Sequence, residues 1–168
     1  NLDWDRMAFV EQNPVVFVRR PRGGIPYVSI GFPGNVAPYS GMNAAGIAVA
    51  SNEADAQSDF RLQGRSHVQM VRQILRSAES LADAEAFLLD QQHASAEILV
   101  VSDGQADEAA VFEMTAENAA LRPIQEEGIL YATNHFVSPR MASCDAPVEP
   151  GSSSTNRFER LRQLLEPD

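Results

Sequence analysis

Cys144, followed by Asp145 and nine residues after His135, is the one place where residue types for a thiol nucleophile and a base fall near each other. The chemistry would need a thiolate, and the surrounding Ala142-Ser143-Cys144-Asp145-Ala146-Pro147 argues against one, because an adjacent carboxylate raises a thiol pKa. An ordinary loop cysteine is the better reading. His67, His93 and His135 are scattered and form no HxxxH or HExxH pattern, so a metal site is not expected. Gly31, Gly34 and Gly41 match neither a dinucleotide fingerprint nor a P-loop, and no GxSxG elbow marks a serine nucleophile. What remains is a set of isolated polar residues at strand ends, Asp3, Asn52 and Asn134, with Arg157 opening a helix. Spacing alone does not connect them. Asp3 could cap a turn, the two asparagines could satisfy loop backbone after their strands, and Arg157 could be a helix surface residue.

The elements that would carry these residues are legible in outline. Val15-Val16-Phe17-Val18 and Ile25-Pro26-Tyr27-Val28-Ser29-Ile30, separated by a Pro and Gly-Gly stretch, read as a hairpin. Gly41-Met42-Asn43 reads as a turn and Gly46 through Asn52 as a buried strand. Val71, Ile74, Leu75 and Ala78 recur at helical spacing, giving a helix over 66–78. Ser80 with Asp83 three residues on resembles a capping box, with Leu81, Ala84, Phe87 and Leu88 on one face of a second helix. Glu97 through Val101 and Ala109 through Met114 form antiparallel partners around Asp103-Gly104, and 119–121 and 129–132 read as two further strands. Residues 137–154 read as a loop, and Asn156 through Leu165 as a last helix with Phe158, Leu161 and Leu165 in one stripe. Strands, then helices, then strands, then a helix indicate an α+β domain with antiparallel sheets rather than a βαβ unit.

Composition bounds the function. At 168 residues, 44% hydrophobic and 21% charged, the chain suits one globular domain, and such a domain buries roughly 70% of its unfolded surface. All 13 basic residues are arginine, which excludes lysine-centred chemistry within the chain. Residues 1–76 hold eight arginines against six acids, whereas 77–168 hold five against 17. That acidic balance disfavours nucleic acid and anionic membrane as partners, and is read as a solvated face. A single cysteine permits no intrachain disulfide, and no run approaches the length of a membrane span. A soluble protein is expected, with cytoplasmic and secreted locations both open.

Five segments in order carry a resemblance: Asn1-Leu2-Asp3-Trp4; Pro33-Gly34 leading to Gly41-Met42-Asn43-Ala44-Ala45-Gly46-Ile47; Ser102-Asp103-Gly104 with Glu113; Thr133-Asn134-His135-Phe136; and Ser154-Thr155-Asn156-Arg157-Phe158. Together they resemble the penicillin acyltransferase-like and choloylglycine hydrolase-like N-terminal nucleophile hydrolases, nearer the branch named for isopenicillin N N-acyltransferase. The likeness runs the length of the chain. It implies an αββα four-layer sandwich of antiparallel sheets, present here in part. It also implies a cysteine exposed as first residue by autoproteolysis, with its own α-amine as base. That pairing is nearly balanced, since an α-amine has a pKa of about 8 and a thiol about 8.5.

By the same resemblance Asp3 orients the nucleophile, Asn134 donates to the oxyanion, Asn52 is a second asparagine assisting the oxyanion or substrate carbonyl, and Arg157 steadies Asp3 and the nucleophile region. His135 receives no role, and no cofactor is implied. The family pattern places the cysteine upstream of an Arg-Asn-Leu-Asp-Trp motif whose Asn is residue 1 here, so 1–168 is expected to be one domain lacking its nucleophile strand and further C-terminal strands. The expected activity is hydrolysis or acyl transfer at linear amides of small N-acyl compounds through an acyl-enzyme. The rival is a non-catalytic fragment or homologue that binds a ligand or partner chain. Relatives commonly form homo-oligomers, but this sequence carries no separate signal for it.

Overall fold

A computed structural model describes residues 12–35, 37–54, 56, 60–125, 128–144 and 152–165. Seven strands form one antiparallel sheet in strict chain order: β1 (Val15–Arg19), β2 (Tyr27–Gly31), β3 (Ser40–Asn43), β4 (Ile47–Glu53), β5 (Glu97–Asp103), β6 (Glu108–Met114) and β7 (Ala119–Pro123). Two helices, α1 (His67–Ser77) and α2 (Leu81–Leu89), are inserted between β4 and β5. The α+β class expected from the order of elements is what the chain adopts.

Alternation along the strands gives the sheet two unlike faces. Tyr27, Ile47, Val49, Leu99, Val101, Ala110, Phe112 and Met114 point to an inner face, where Met70, Val71, Ile74 and Leu75 of α1 and Ala84 and Leu88 of α2 complete the main core. Both helices begin where the sequence places them. In α1, Gln69 Oε1 accepts from Ser66 N at 3.0 Å. Ahead of α2, Ser80 Oγ accepts from Asp83 N at 3.1 Å while Asp83 Oδ2 accepts from Ser80 N at 3.1 Å, the reciprocal pair expected of a capping box.

Three expectations are corrected. Gly41-Met42-Asn43 is not a turn but lies in β3, because Gly41 is pressed so closely on β2 that a Cβ there would overlap the Val28 carbonyl oxygen. The reversal comes at Ala44-Ala45-Gly46 instead. Asn43 Oδ1 accepts from Ala45 N and Ile47 N at 3.0 Å each, Gly46 takes φ +96°, and Asn43 Nδ2 donates to Ala78 O at 2.8 Å, tying the turn to the end of α1. Residues 129–132 form no strand. They cross the outer face, where Leu130 and Ala132 are packed and Arg122 Nη2 donates to Tyr131 O at 3.2 Å. Finally, the stretch read as a loop contains α3 (Pro139–Ala142), and the last helix, α4 (Ser153–Leu165), starts three residues early because Ser152 Oγ accepts from Thr155 N at 3.3 Å.

On the outer face, Ile98, Val111, Phe136 and Met141 form a second buried cluster beneath the segment leading into α3. Toward the opposite edge the same face is open among the described residues: Val16 is 66% exposed, Val18 65%, Met42 52% and Ile30 49%. The three named site residues within the described part of the chain lie at the border between these halves.

Candidate active site

Asn52 is on the outer face of β4, half-buried, next to Glu53 and opposite Ile98 in the ladder. The strand ends there, so the Glu53 carbonyl is released from the sheet and accepts from Asn134 Nδ2 at 2.8 Å. Arg157, on the second turn of α4, donates from Nη2 to Asn134 Oδ1 at 2.9 Å. Both ends of the carboxamide are therefore assigned by chemistry: the oxygen must face the guanidinium and the NH2 the carbonyl. One Asn134 N–H is engaged by Glu53, and among the described residues the other has no acceptor.

The backbone of Asn134 is held as firmly. Its N–H donates to Ser154 Oγ at 2.8 Å. Ser154 Oγ also lies 2.8 Å from His135 Nδ1 and donates to Thr133 Oγ1 at 3.1 Å, closing a triangle in which Thr133 and His135 are themselves 3.1 Å apart. Burial pushes the His135 pKa below its usual value, which Glu113 opposes and Arg157 and Arg122 reinforce, so the ring is neutral at pH 7. Its other face meets Phe158 edge-on at 5.3 Å, and Phe158 in turn packs on Tyr131 at 4.8 Å.

Beneath this loop, Glu113 of β6 is fully buried and accepts four hydrogen bonds. Arg122 Nε and Val137 N reach Oε1 at 2.9 and 3.0 Å, and Ser138 N and Oγ reach Oε2 at 2.9 and 2.5 Å. On the inner face across from Asn52's end of β4, Glu97 pairs with Glu53 in the ladder and sits 3.5 Å from His67 Nδ1. That separation would suit an ion pair, yet burial and then the Glu53 charge push the Glu97 pKa up to about 9, and burial lowers that of His67. The contact is between neutral groups at pH 7.

The structure thus joins Asn134 to Arg157 and to the carbonyl of Glu53, the residue after Asn52, and Asp3 lies outside the described residues. Arg157 bonds to Asn134. Sequence reasoning left Ser154 without a part and Glu113 as a landmark only, although a glutamate inside the apolar run Ala109-Ala110-Val111-Phe112 was a signal worth following. Cys144 is half-buried against the outer cluster, as a loop cysteine. Among the described residues no group of three His, Cys, Asp or Glu is placed to hold a metal ion, and no helix is long and apolar enough to cross a membrane. Two concavities of about 530 and 560 Å³ line the β7 side of the molecule without touching Asn52, Asn134 or Arg157.

Residues 3–168 match the model of the acyl-coenzyme A:6-aminopenicillanic acid acyl-transferase family. An uncharacterized protein of Archaeoglobus fulgidus is 26% identical over 86% of this chain, which spans only 28% of that relative's length. In fold, the chain is similar to a Caenorhabditis elegans N-acylethanolamine-hydrolyzing acid amidase orthologue, with TM-score 0.67, 15% identity, and coverage of 98% of this chain and 72% of the other. A variant of conjugated bile acid hydrolase from Clostridium perfringens aligns with TM-score 0.55 and 12% identity over 92% of this chain and 64% of its own. Both likenesses establish the α+β fold shared with N-terminal nucleophile hydrolases.

Proposed function

The chain belongs to the acyl-coenzyme A:6-aminopenicillanic acid acyl-transferase family, and from that premise we propose that the full-length protein cleaves linear amides of small N-acyl compounds through a cysteine acyl-enzyme, passing the acyl group to water or an amine. The observation that carries this reading is the fixed Asn134 carboxamide. With its oxygen on Arg157 and one N–H on the Glu53 carbonyl, its second N–H is pre-aimed and costs no reorganisation when an oxyanion forms. Asn52, the residue before that carbonyl and on the outer face of β4, assists the oxyanion or the substrate carbonyl in this reading.

In this reading the nucleophile is an N-terminal cysteine contributed upstream of residue 1, its α-amine taking the thiol proton and later returning one to the leaving amine. Asp3 orients that cysteine. Arg157 fixes Asn134 directly and the nucleophile region through it. The 1–168 segment is one domain to which the full-length protein adds strands, and the open apolar half of the outer face, with Val16, Val18, Ile30 and Met42 exposed, supports that view. The names of the structural relatives, an acid amidase and a bile acid hydrolase, support amide substrates as the class.

The test is made on the full-length protein. Mass spectrometry should find a mature chain beginning with cysteine, and cysteine-to-alanine and Asn134→Ala variants should remain folded while amide turnover falls, by about 10²–10³ for Asn134. Undiminished turnover in both variants refutes the assignment.

A further inference from the structure

We propose that Glu113 is a positioning residue for this site: its buried carboxylate fastens the 131–138 segment at both ends and so sets the direction of the Asn134 side-chain amide. The proposal rests on the reading of Asn134 given above and adds to it the group that holds Asn134 in place from beneath. On the downstream side, Val137 N, Ser138 N and Ser138 Oγ all donate to Glu113. On the upstream side the connection runs through Arg122, whose Nε donates to Glu113 and whose Nη2 donates to the Tyr131 carbonyl. Residues 132–136, which include Thr133, Asn134 and His135, are the bight between these two fastenings.

Packing alone does not require a glutamate here. The outer face around it is apolar, with Val111, Phe136 and Met141 as neighbours in the buried cluster, and an apolar side chain of similar volume in such a place is often neutral or stabilising relative to a buried charge. What the carboxylate adds is direction. It has room for about four acceptor bonds, all four are made, and every partner is a donor. Two of those partners are backbone N–H groups, so the main chain itself is placed, not merely its side chains. A displacement of about 1 Å in a group that must meet a reacting atom can cost on the order of 10² in rate.

Glu113→Gln keeps the shape but turns an NH2 toward Arg122 Nε and Val137 N in one flip, or toward Ser138 N in the other, so at least one fixed donor is opposed either way. In the full-length protein, with a chromogenic N-acyl 4-nitroanilide as probe, the expected result is a kcat lowered by about ten- to a hundredfold with KM within about twofold. The Asn134 side-chain 1H–15N resonances should shift or broaden in the same variant. Ser80→Ala, which removes a helix cap far from the site, serves as a stability control: it should lower the melting temperature yet leave kcat and those resonances alone. Arg122→Gln, releasing the Tyr131 side only, should act in the same direction and less strongly, and it decides the matter if Glu113→Gln does not fold. Unchanged Asn134 resonances in the folded variants, or a loss of kcat no greater than Ser80→Ala produces, overturn the proposal. If the wild type and Asn134→Ala handle the probe alike, it is the functional reading that fails, and the resonances still judge the positioning role.

Discussion

The two halves of the sheet's outer face are built from the same alternating strand pattern and end in opposite conditions. Over β5–β7, the 128–144 segment covers the face, Ile98 and Val111 are fully buried, and the Glu113 carboxylate is saturated with donors. Over β1–β3, Val16, Val18, Val28, Ile30 and Met42 remain 42–66% exposed among the described residues. The covered half can afford polar precision because water is excluded from it, which strengthens each hydrogen bond and makes an unmet one costly. The site sits on β4 at the seam, where one side supplies rigid donors and the other is open.

The sharpest break of that comparison is mutational. Phe136→Ala should destabilise by about 3–5 kcal/mol, since the ring is 3% exposed within the outer cluster. Urea melts would read it, and a cost below about 1 kcal/mol would mean that the covering segment is only resting on the sheet. Next, and spread over several pH units, is a pH effect at the β4–β5 ladder. Glu97, with its pKa raised to about 9, is protonated in the fold, whereas in the unfolded chain it ionises near 4.5. Its contribution to stability is full below pH 4.5 and is lost as pH rises toward 9. The limiting slope is about 1.4 kcal/mol per pH unit for one proton. The difference in stability between wild type and Glu97→Gln, measured across that range, should carry this slope; a flat difference would place Glu97 in contact with water.

A subtler probe is Arg157→Gln, which removes the guanidinium that fixes the Asn134 amide. Turnover should fall about tenfold with little change in melting temperature, because the pair is at the surface. A large stability loss without a rate effect would reassign Arg157 to the fold. Smallest of all, Val18→Thr on the open half should change stability by no more than about 0.5 kcal/mol in the 1–168 chain. A cost like that of Phe136→Ala would show the two halves to be equally buried in solution.

Much of this was legible beforehand, for identifiable reasons. α1 and α2 follow from 3.6-residue apolar spacing closed by serine caps, and β5 and β6 from apolar runs around a tight Asp103-Gly104 turn. β3 was hidden because Gly41 and Asn43 have turn chemistry in any context. Only the approach of β2 shows that Gly41 is used for its missing side chain and Asn43 to cap the turn that follows. Residues 129–132 have strand composition, yet Leu130 and Ala132 pack over the outer face instead of extending the sheet beyond β7, so packing decided their form. At the site, Asn52, Asn134 and Arg157 were nameable by type and order. Their joining was not, since the contacts of Asn134 span 81 residues to Glu53 and 23 to Arg157 and no local pattern encodes them.

The strict chain order of the sheet has a kinetic meaning as well. Five of its six ladders, those within β1–β4 and within β5–β7, join strands separated only by a loop, and these can close cheaply. The β4–β5 ladder, from Ile47 opposite Asp103 to Glu53 opposite Glu97, must span both intervening helices and carries the largest closure entropy in the sheet. Asn52 and the Glu53 carbonyl belong to that ladder, and Asn134 belongs to the far side of it. The contact between Asn134 and the Glu53 carbonyl therefore cannot exist in either half alone. It forms only once the ladder with the longest closure is in place, so the proposed site is incomplete in any chain whose β4 and β5 are still apart.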